Sequence, residues 1–298
     1  MDILIIGGAG FIGSQLSLFY RNKGYNVTVY DNFTRNSLKF FNSDGIKVVQ
    51  WDITNLTLPI DADIIIHCAG ICGIHSVSDV TKVLEVNFIG TRNVIKCLTD
   101  RCKRYIFLST TEVEGLAPKS YQFPLFEPRW AYAISKISAE YYCIDQIDKG
   151  IPITIVRPAN VFGIGQIDDS AVSNFITHGL TDRKFTLYDD GLAKRAWCYI
   201  DDFISGIDLI LNSDSAIGTT YTIGNPTNII TNVGLLRNIC KMLDINPIIT
   251  YKPHFCTDIK FRCPDIKNIK ALGLEPKISL EQGLKRTIEW YINTFIGV

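Results

Sequence analysis

Apolar side chains fall along this chain in short, nearly uninterrupted runs separated by longer mixed stretches. Runs at 3–6, 27–30, 48–51, 64–67, 105–109 and 153–156 read as strands, and the stretches at 12–23, 80–101 and 131–149 read as helices. A strand with no polar face is covered on both sides, and helices between such strands supply the crossovers of a parallel sheet. The first half is therefore predicted to be an α/β, doubly wound parallel sheet. After Gly163 the pattern loosens. Strand pieces at 185–188, around 199 and at 248–251 mix with helices at 171–180, 202–211, 231–243 and 280–295. That mixture predicts a smaller C-terminal α/β domain. The two main parts are then 1–165, to which 202–224 return, and 166–298. The sequence carries no repeats, low-complexity stretches or disordered linkers.

A length of 298 residues fits one large domain or two closely joined ones. Lys plus Arg and Asp plus Glu each number 30, so no global field draws the chain to nucleic acid or an anionic membrane. No apolar run is long enough to span a bilayer uninterrupted. The first residues enter a strand directly, without a cationic leader, and nine cysteines are scattered without a CxxC pair. Reduced thiols and a cytoplasmic location are expected. His67, His75, His178 and His254 are dispersed without metal-site spacing, and no metal is expected.

Gly8, Gly10 and Gly13 follow the first strand and open the first helix. Glycines there permit a tight turn and let the backbone approach a pyrophosphate at the positive helix end. Taken alone, such a match is often an ordinary strand–helix turn. Asp31, ending the second strand, adds a carboxylate that can accept from a ribose diol and repel a 2′-phosphate, which favours NAD over NADP. Arg35 lies close enough to keep NADP open. Asp52 and Ile53 end the third strand and could flank an adenine or simply cap the strand. Residues 1–165 therefore read as a dinucleotide-binding domain and 166–298 as mainly a substrate domain. Tyr132 and Lys136, four apart, share one helix face. An ammonium beside a phenol favours the phenolate, and a phenol so tuned can take a proton from a sugar or alcohol hydroxyl near neutral pH. A bound dinucleotide would accept the accompanying hydride. By themselves these two residues could equally be an incidental helix pair.

Together these motifs resemble the extended short-chain dehydrogenase/reductase family, specifically its NAD-dependent nucleotide-sugar epimerases, dehydratases and decarboxylases, and the likeness runs along essentially the whole chain. The turn from Gly7 to Gly13 resembles the family's cofactor turn, with Ile6 where threonine is usual. His67-Cys68-Ala69-Gly70 looks like the loop beneath the nicotinamide ribose. The stretch from Asn87 to Asn93 looks like its structural asparagine helix. Residues 109–115 resemble its active-site strand, with Glu114 where that strand commonly has tyrosine. Residues 157–163 resemble the segment carrying a substrate-binding asparagine, here Asn160; residues 190–195 and 199–202 resemble its phosphate-arginine stretch.

The resemblance implies a Rossmann sheet holding NAD through Gly7, Gly10, Phe11, Ile12 and Gly13, Asp31 and Asn32, Asp52 and Ile53, and Cys68, Ala69 and Gly70. Asn87, Ser109, Pro158, Tyr132 and Lys136 complete that set. It implies that Tyr132 deprotonates a sugar 4-hydroxyl, that Lys136 lowers its pKa, and that Thr110 binds the same hydroxyl, giving a 4-keto sugar. Thr111, Asn160, Tyr188, Arg195 and Arg262 would join Thr110 in binding a nucleotide-diphosphate sugar, because guanidinium forks suit phosphate oxygens. An isolated surface arginine is more often an ion pair. A 4-ketone acidifies C5 and activates a C5 carboxylate for loss. Glu112 stands two residues beyond Thr110 and, on a continuing strand, would share its face and serve as the C5 base. Thr111 stands where one dehydratase branch has an acidic aspartate. Pro128-Arg129-Trp130 and Arg262-Cys263-Pro264-Asp265 look like UDP-glucuronate decarboxylases. C5 chemistry of the dehydratase or decarboxylase kind is therefore favoured, with 4-epimerase the nearest alternative. A non-catalytic dinucleotide-binding sensor is the reading from another class; retention of Tyr132, Lys136 and Thr110 weighs against it. The family also commonly dimerises through the helices matching 80–101 and the one with Tyr132, where Trp130, Ile134, Ile137 and Tyr141 recur at helical spacing.

Overall fold

The computed structural model describes every residue except 36–41, 73–78, 117–129, 168–169, 254–258 and 297–298. The chain divides into two units, Met1–Pro158 with Gly206–Thr222, and Ala159–Ser205 with Ile223–Val298.

Seven strands form the sheet of the first unit: β1 (Asp2–Ile6), β2 (Asn26–Asp31), β3 (Lys47–Gln50), β4 (Ile64–His67), β5 (Arg104–Leu108), β6 (Ile153–Pro158) and β11 (Thr220–Ile223). Their order is β11-β6-β5-β4-β1-β2-β3. Neighbours from β3 to β6 run parallel, and Ile5 of β1 sits opposite Val29 on one side and Ile66 on the other. The isoleucines of β1 and β4 are almost fully buried, each removing an apolar side chain from water for roughly 1.5–3 kcal/mol. Strand order reverses between β1 and β4, the place where a doubly wound sheet opens a crevice at its carboxyl ends. The flanking helices are α1 (Phe11–Asn22), α2 (Val80–Leu84), α3 (Thr91–Lys96) and α4 (Trp130–Ile147). A π turn, Glu85–Gly90, joins α2 to α3.

Two local departures from the sequence pattern have clear causes. The helix expected to reach residue 101 ends at Lys96. The next carbonyl, on Cys97, accepts the Ile60 N–H at 2.7 Å, and Thr99 N–H returns to the Ile60 carbonyl at 3.3 Å, so the chain turns into a short bridge. The fifth strand stops at Leu108, and Thr111–Leu116 is a 3₁₀ helix.

In the second unit, β7 (Val161–Phe162) pairs with β10 (Cys198–Tyr199), and β8 (Lys184–Tyr188) with β13 (Ile248–Lys252). A third small sheet sets β9 (Lys194–Ala196) between β12 (Ile229–Thr231) and β14 (Phe261–Arg262). The helices are α5 (Ala171–Leu180), α6 (Ile200–Leu211), along which the chain passes back to the first unit, α7 (Asn232–Met242), α8 (Lys267–Ala271) and α9 (Leu280–Phe295). Phe162 meets Trp197 and Tyr199 edge-on in its core. The carboxylate of Asp202 accepts the N–H groups of Lys277 and Ile278 at 2.9 and 3.0 Å, fixing the approach to α9. Ser279 and Gln282 then close a capping box at its start. Among the described residues, no helix is long and apolar enough to cross a membrane.

Candidate functional site

The glycine turn after β1 is shaped by what it must admit. Gly7 has φ +75°, and a Cβ there would meet the Ala69 backbone 2.5 Å away. A Cβ at Gly13 would collide with the Gly7 carbonyl. Both positions therefore need glycine. α1 starts at Gly10 with no side-chain cap and no acidic residue in its first turn, whereas α2, α5, α7 and α9 are capped by Asp79, Ser170, Thr231 and Ser279. The first-turn N–H groups of α1, including those of Phe11 and Ile12, are thus left to an anion. Asp31 accepts from Ala9 N–H at 3.0 Å and Phe33 N–H at 2.9 Å, one on each oxygen. A carboxylate has about four acceptor sites, so capacity remains for a diol. Asp52 accepts from Thr54 N–H and Oγ1 and from Asn32 Nδ2. Burial pushes this carboxyl up, but the hydrogen bonds from Thr54 and Asn32 outweigh it and hold the group below its ordinary value. Asp52 therefore caps its own turn while lining, with Asn32, Thr34, Gln50, Trp51 and Asn55, a recess of about 420 Å³. Tyr30 stacks on Trp51 beside it, ring centroids 4.9 Å apart.

At the other end of the crevice, Lys136 is buried, and its Nζ donates to the Leu108 carbonyl at 2.8 Å and lies 4.9 Å from the Phe107 ring centre. Burial pulls its pKa down to about 8, against the opposing pull of Cys72, Cys68, Cys143 and Glu140. Tyr132 is half-buried one turn earlier on α4. Gly70 lies beside Asn87 Oδ1 and Lys136 Nζ. The Asn87 amide is fully engaged: Oδ1 accepts Ile71 N–H at 2.8 Å, and Nδ2 donates to the Ile71 carbonyl and to Ser135 Oγ, both at 2.9 Å. It holds the 68–71 loop against α4, so any effect on a cofactor passes through that loop. Ser109 Oγ is buried with no hydrogen-bond partner among the described residues, an open polar group at the end of β5. His67 Nδ1 meets Tyr105 OH at 2.6 Å in the core, and burial, aided by Lys136, lowers its pKa to about 3, so it stays neutral. Cys68, pushed up to about 12 by burial, stays a thiol. These residues fit a dinucleotide: an uncapped helix start, a carboxylate with spare acceptors, an open buried hydroxyl and a buried ammonium along one crevice.

Thr110 and Glu112 do not share a strand face, because the strand has already ended. Thr110 Oγ1 accepts Glu112 N–H at 3.2 Å and starts the 3₁₀ turn, a hydroxyl competing with the sheet for the backbone. Thr110 and Thr111 are buried, Glu112 is half-buried, and Thr111 Oγ1 donates to the Pro158 carbonyl at 3.4 Å. The two-residue alternation used to aim Glu112 therefore does not apply. Pro128 and Arg129 lie outside the described residues.

The second unit holds the other expected binding residues. Asn160 has φ +43°, in the left-handed region, and its Nδ2 donates to the Ala196 carbonyl at 2.9 Å, bracing β9. Arg195 of β9 and Arg262 of β14 are direct partners on parallel neighbours. The Arg195 Nη1 also donates to the Lys194 carbonyl at 2.9 Å. Tyr188, ending β8, is 43% exposed. The supporting contacts of Asn93, Glu140 and Arg157 escape sequence reasoning. Asn93 donates to the Ile53 and Thr54 carbonyls at 3.1 and 2.9 Å and fixes the turn at the end of β3. Glu140 and Arg157 form a bidentate pair at 2.6 and 2.9 Å. Spacing gives no hint of these contacts, since 17 to 40 residues separate the partners.

Comparison with known proteins matches residues 3–224 to the family described as "NAD dependent epimerase/dehydratase family". UDP-N-acetyl-alpha-D-glucosaminuronate decarboxylase of Bacillus cytotoxicus is 29% identical over 97% of this chain and 97% of its own. UDP-glucuronic acid decarboxylase 1 of Xenopus tropicalis is 31% identical over 97% of this chain and 72% of its own. Among solved structures, UDP-glucuronic acid 4-epimerase from Bacillus cereus, in complex with UDP-glucuronic acid and NAD, superposes with a TM-score of 0.84 at 26% identity, covering 99% of this chain and 100% of that one.

Proposed function

Since the chain belongs to the NAD dependent epimerase/dehydratase family, we propose that it decarboxylates a UDP-linked hexuronate. The chain is an NAD-dependent nucleotide-sugar enzyme, and we infer that it works through C4 oxidation to a 4-keto intermediate followed by C5 chemistry. Bound NAD supplies the acceptor, and later the donor, of the C4 hydride. In the residue assignment we favour, the Tyr132 phenol takes the proton of the C4 hydroxyl. The Lys136 ammonium favours its phenolate, and the Thr110 hydroxyl orients the sugar oxygen. The single observation that carries this assignment is Lys136, a buried cation held at the carboxyl ends of β4 and β5 on the helix that presents Tyr132. A buried charge is costly, and a chemical role accounts for its retention.

A hexuronate brings its own leaving group. Once C4 is a ketone, the C5–C6 bond breaks and its electron pair moves into a C4–C5 enolate as CO2 departs. C5 must then be protonated, and the Glu112 carboxyl is the group we assign to handle that proton. In the same assignment Arg195 and Arg262, in register on neighbouring strands, bind the diphosphate, Asn160 braces their sheet and Tyr188 lies near the base. The 4-epimerase reading has its own support in the structural likeness to an enzyme crystallised with UDP-glucuronic acid. Purified protein given UDP-, GDP-, dTDP- and CDP-linked hexuronates, with products weighed by mass spectrometry, separates the two. Loss of CO2 from a UDP-hexuronate is the expected result; conversion at unchanged mass would replace decarboxylation by epimerisation.

Assembly as a homodimer belongs to the same proposal. Ile134, Tyr141 and Ile144 of α4 are 44%, 70% and 47% exposed, and Val80 of α2 is 49% exposed. Exposed apolar side chains recurring along one face of α4 support burial against a second copy.

A further inference from the structure

We propose that Glu114 is a positioning residue: through Arg157 it ties the turn carrying Thr110 and Glu112 to the helix carrying Tyr132 and Lys136. The inference rests on the assignment of those four residues to the chemistry. Arg157 stands near the end of β6, and Glu140 lies on α4 four residues beyond Lys136 and eight beyond Tyr132. The Arg157 guanidinium donates Nε to Glu140 Oε1 at 2.9 Å and Nη2 to Oε2 at 2.6 Å. Its third nitrogen, Nη1, lies 3.5 Å from Glu114 Oε1, which also accepts Thr222 Oγ1 at 3.0 Å. One guanidinium is therefore shared between the catalytic helix and the far end of the 3₁₀ turn.

The two halves of this bridge have different weights. The Glu140 side chain is 5% exposed and meets a planar fork in bidentate geometry, so that half is rigid. The Glu114 side chain is 41% exposed and its ion pair is long, so it adds little to global stability. Its consequence is local. Thr111 is already tethered to the Pro158 carbonyl, next to Arg157 in the chain. A second tether at Glu114 pins the turn on both sides of Glu112. Without it, the turn is still held through Thr110, Thr111 and the buried Val113 but no longer through Glu114, and the backbone around Glu112 gains freedom. Reacting groups tolerate little of this, because misplacement by about 1 Å from a distant change can cost roughly 100-fold in rate.

Glu114→Ala tests the proposal in two arms. Amide hydrogen exchange should quicken by about tenfold across residues 109–116 with no change across 130–147, the sign of local rather than global opening. The thermal midpoint and NAD affinity should stay at wild-type values. With the nucleotide sugar that the wild type converts, kcat should fall by about tenfold or more at unchanged KM. In an Arg157→Leu background, which removes the link to α4 but leaves Thr222 Oγ1 on Glu114, the same substitution should cost clearly less than it does in the wild type. Unchanged exchange, unchanged kcat, or a kcat loss matched by a loss of thermal stability would each overturn the proposal. The exchange arm needs no substrate, so it decides the tether even if no nucleotide sugar is converted, an outcome that would overturn the proposed function instead.

Discussion

Lys136 shows most plainly how one residue joins chemistry to stability. Its pKa falls from 10.5 to about 8 because burial disfavours the charged form. Between those two values the unfolded chain holds a proton that the fold has released, so stability rises with pH across that window. Below it the amine is charged in both states, and burying it costs on the order of 3 kcal/mol. Lys136→Met should therefore raise the thermal midpoint of the cofactor-free protein at pH 7 and flatten its pH dependence between about 8 and 10.5, while abolishing turnover. Melting curves over that pH range check this; a less stable variant with an unchanged pH slope would contradict it. Asp31 makes the cofactor prediction. It already receives Ala9 and Phe33 N–H groups, and a charged hydrogen bond is worth about 1.5–3 kcal/mol. Asp31→Ala should narrow the preference for NAD over NADP in binding titrations by roughly tenfold or more, and a wild type that prefers NADP would refute the assignment. At this scale much was legible from spacing: Tyr132 with Lys136, the glycine turn and Asp31. Arg157 with Glu140 was not, because their meeting depends on how α4 lies against β6.

Among the elements, the helix running from 80 to 96 does the most to set the crevice. Its π turn carries Asn87, which clamps the loop after β4, and its last turn carries Asn93, which clamps the turn after β3. π segments are rare and recur at functional sites. Asn87→Ala would strand the Ile71 N–H and carbonyl and remove a partner of Ser135. Each buried unsatisfied group costs about 1–3 kcal/mol, so a loss of at least about 2 kcal/mol in denaturant unfolding is expected, with weaker NAD binding. Wild-type stability and NAD affinity in this variant would contradict the clamp. The strands were legible as apolar runs because burial on both faces leaves a plain signature. Element ends were less so. Helix 80–101 stops early because Ile60, 37 residues upstream, captures the Cys97 carbonyl. Glu112 leaves the strand because one hydroxyl on Thr110 caps its N–H.

For the molecule as a whole, the doubly wound half followed from the order of apolar runs, and in the second unit the strands β8, β10 and β13 fall where strand pieces were expected, while β7, β9, β12 and β14 and the pairing of the small sheets did not follow. That unit's two- and three-residue strands exist only through pairing across long separations; partners on β9 and β14 lie 67 residues apart, and no local pattern announces that Arg195 is in register with Arg262. Assembly carries its own prediction. Tyr141→Glu should turn a dimer into a monomer in light scattering at micromolar concentration, because it places charge in the middle of the exposed apolar stripe on α4; a wild type that is already monomeric would sink the proposal. The most direct test of the account is the product formed from a UDP-hexuronate in deuterated water. The wild type should release a sugar nucleotide lighter by one CO2 and carrying one deuterium at C5, and Tyr132→Phe should do so about 10²–10⁴-fold more slowly. A product of unchanged mass with no deuterium at C5, or no conversion at all, would contradict it.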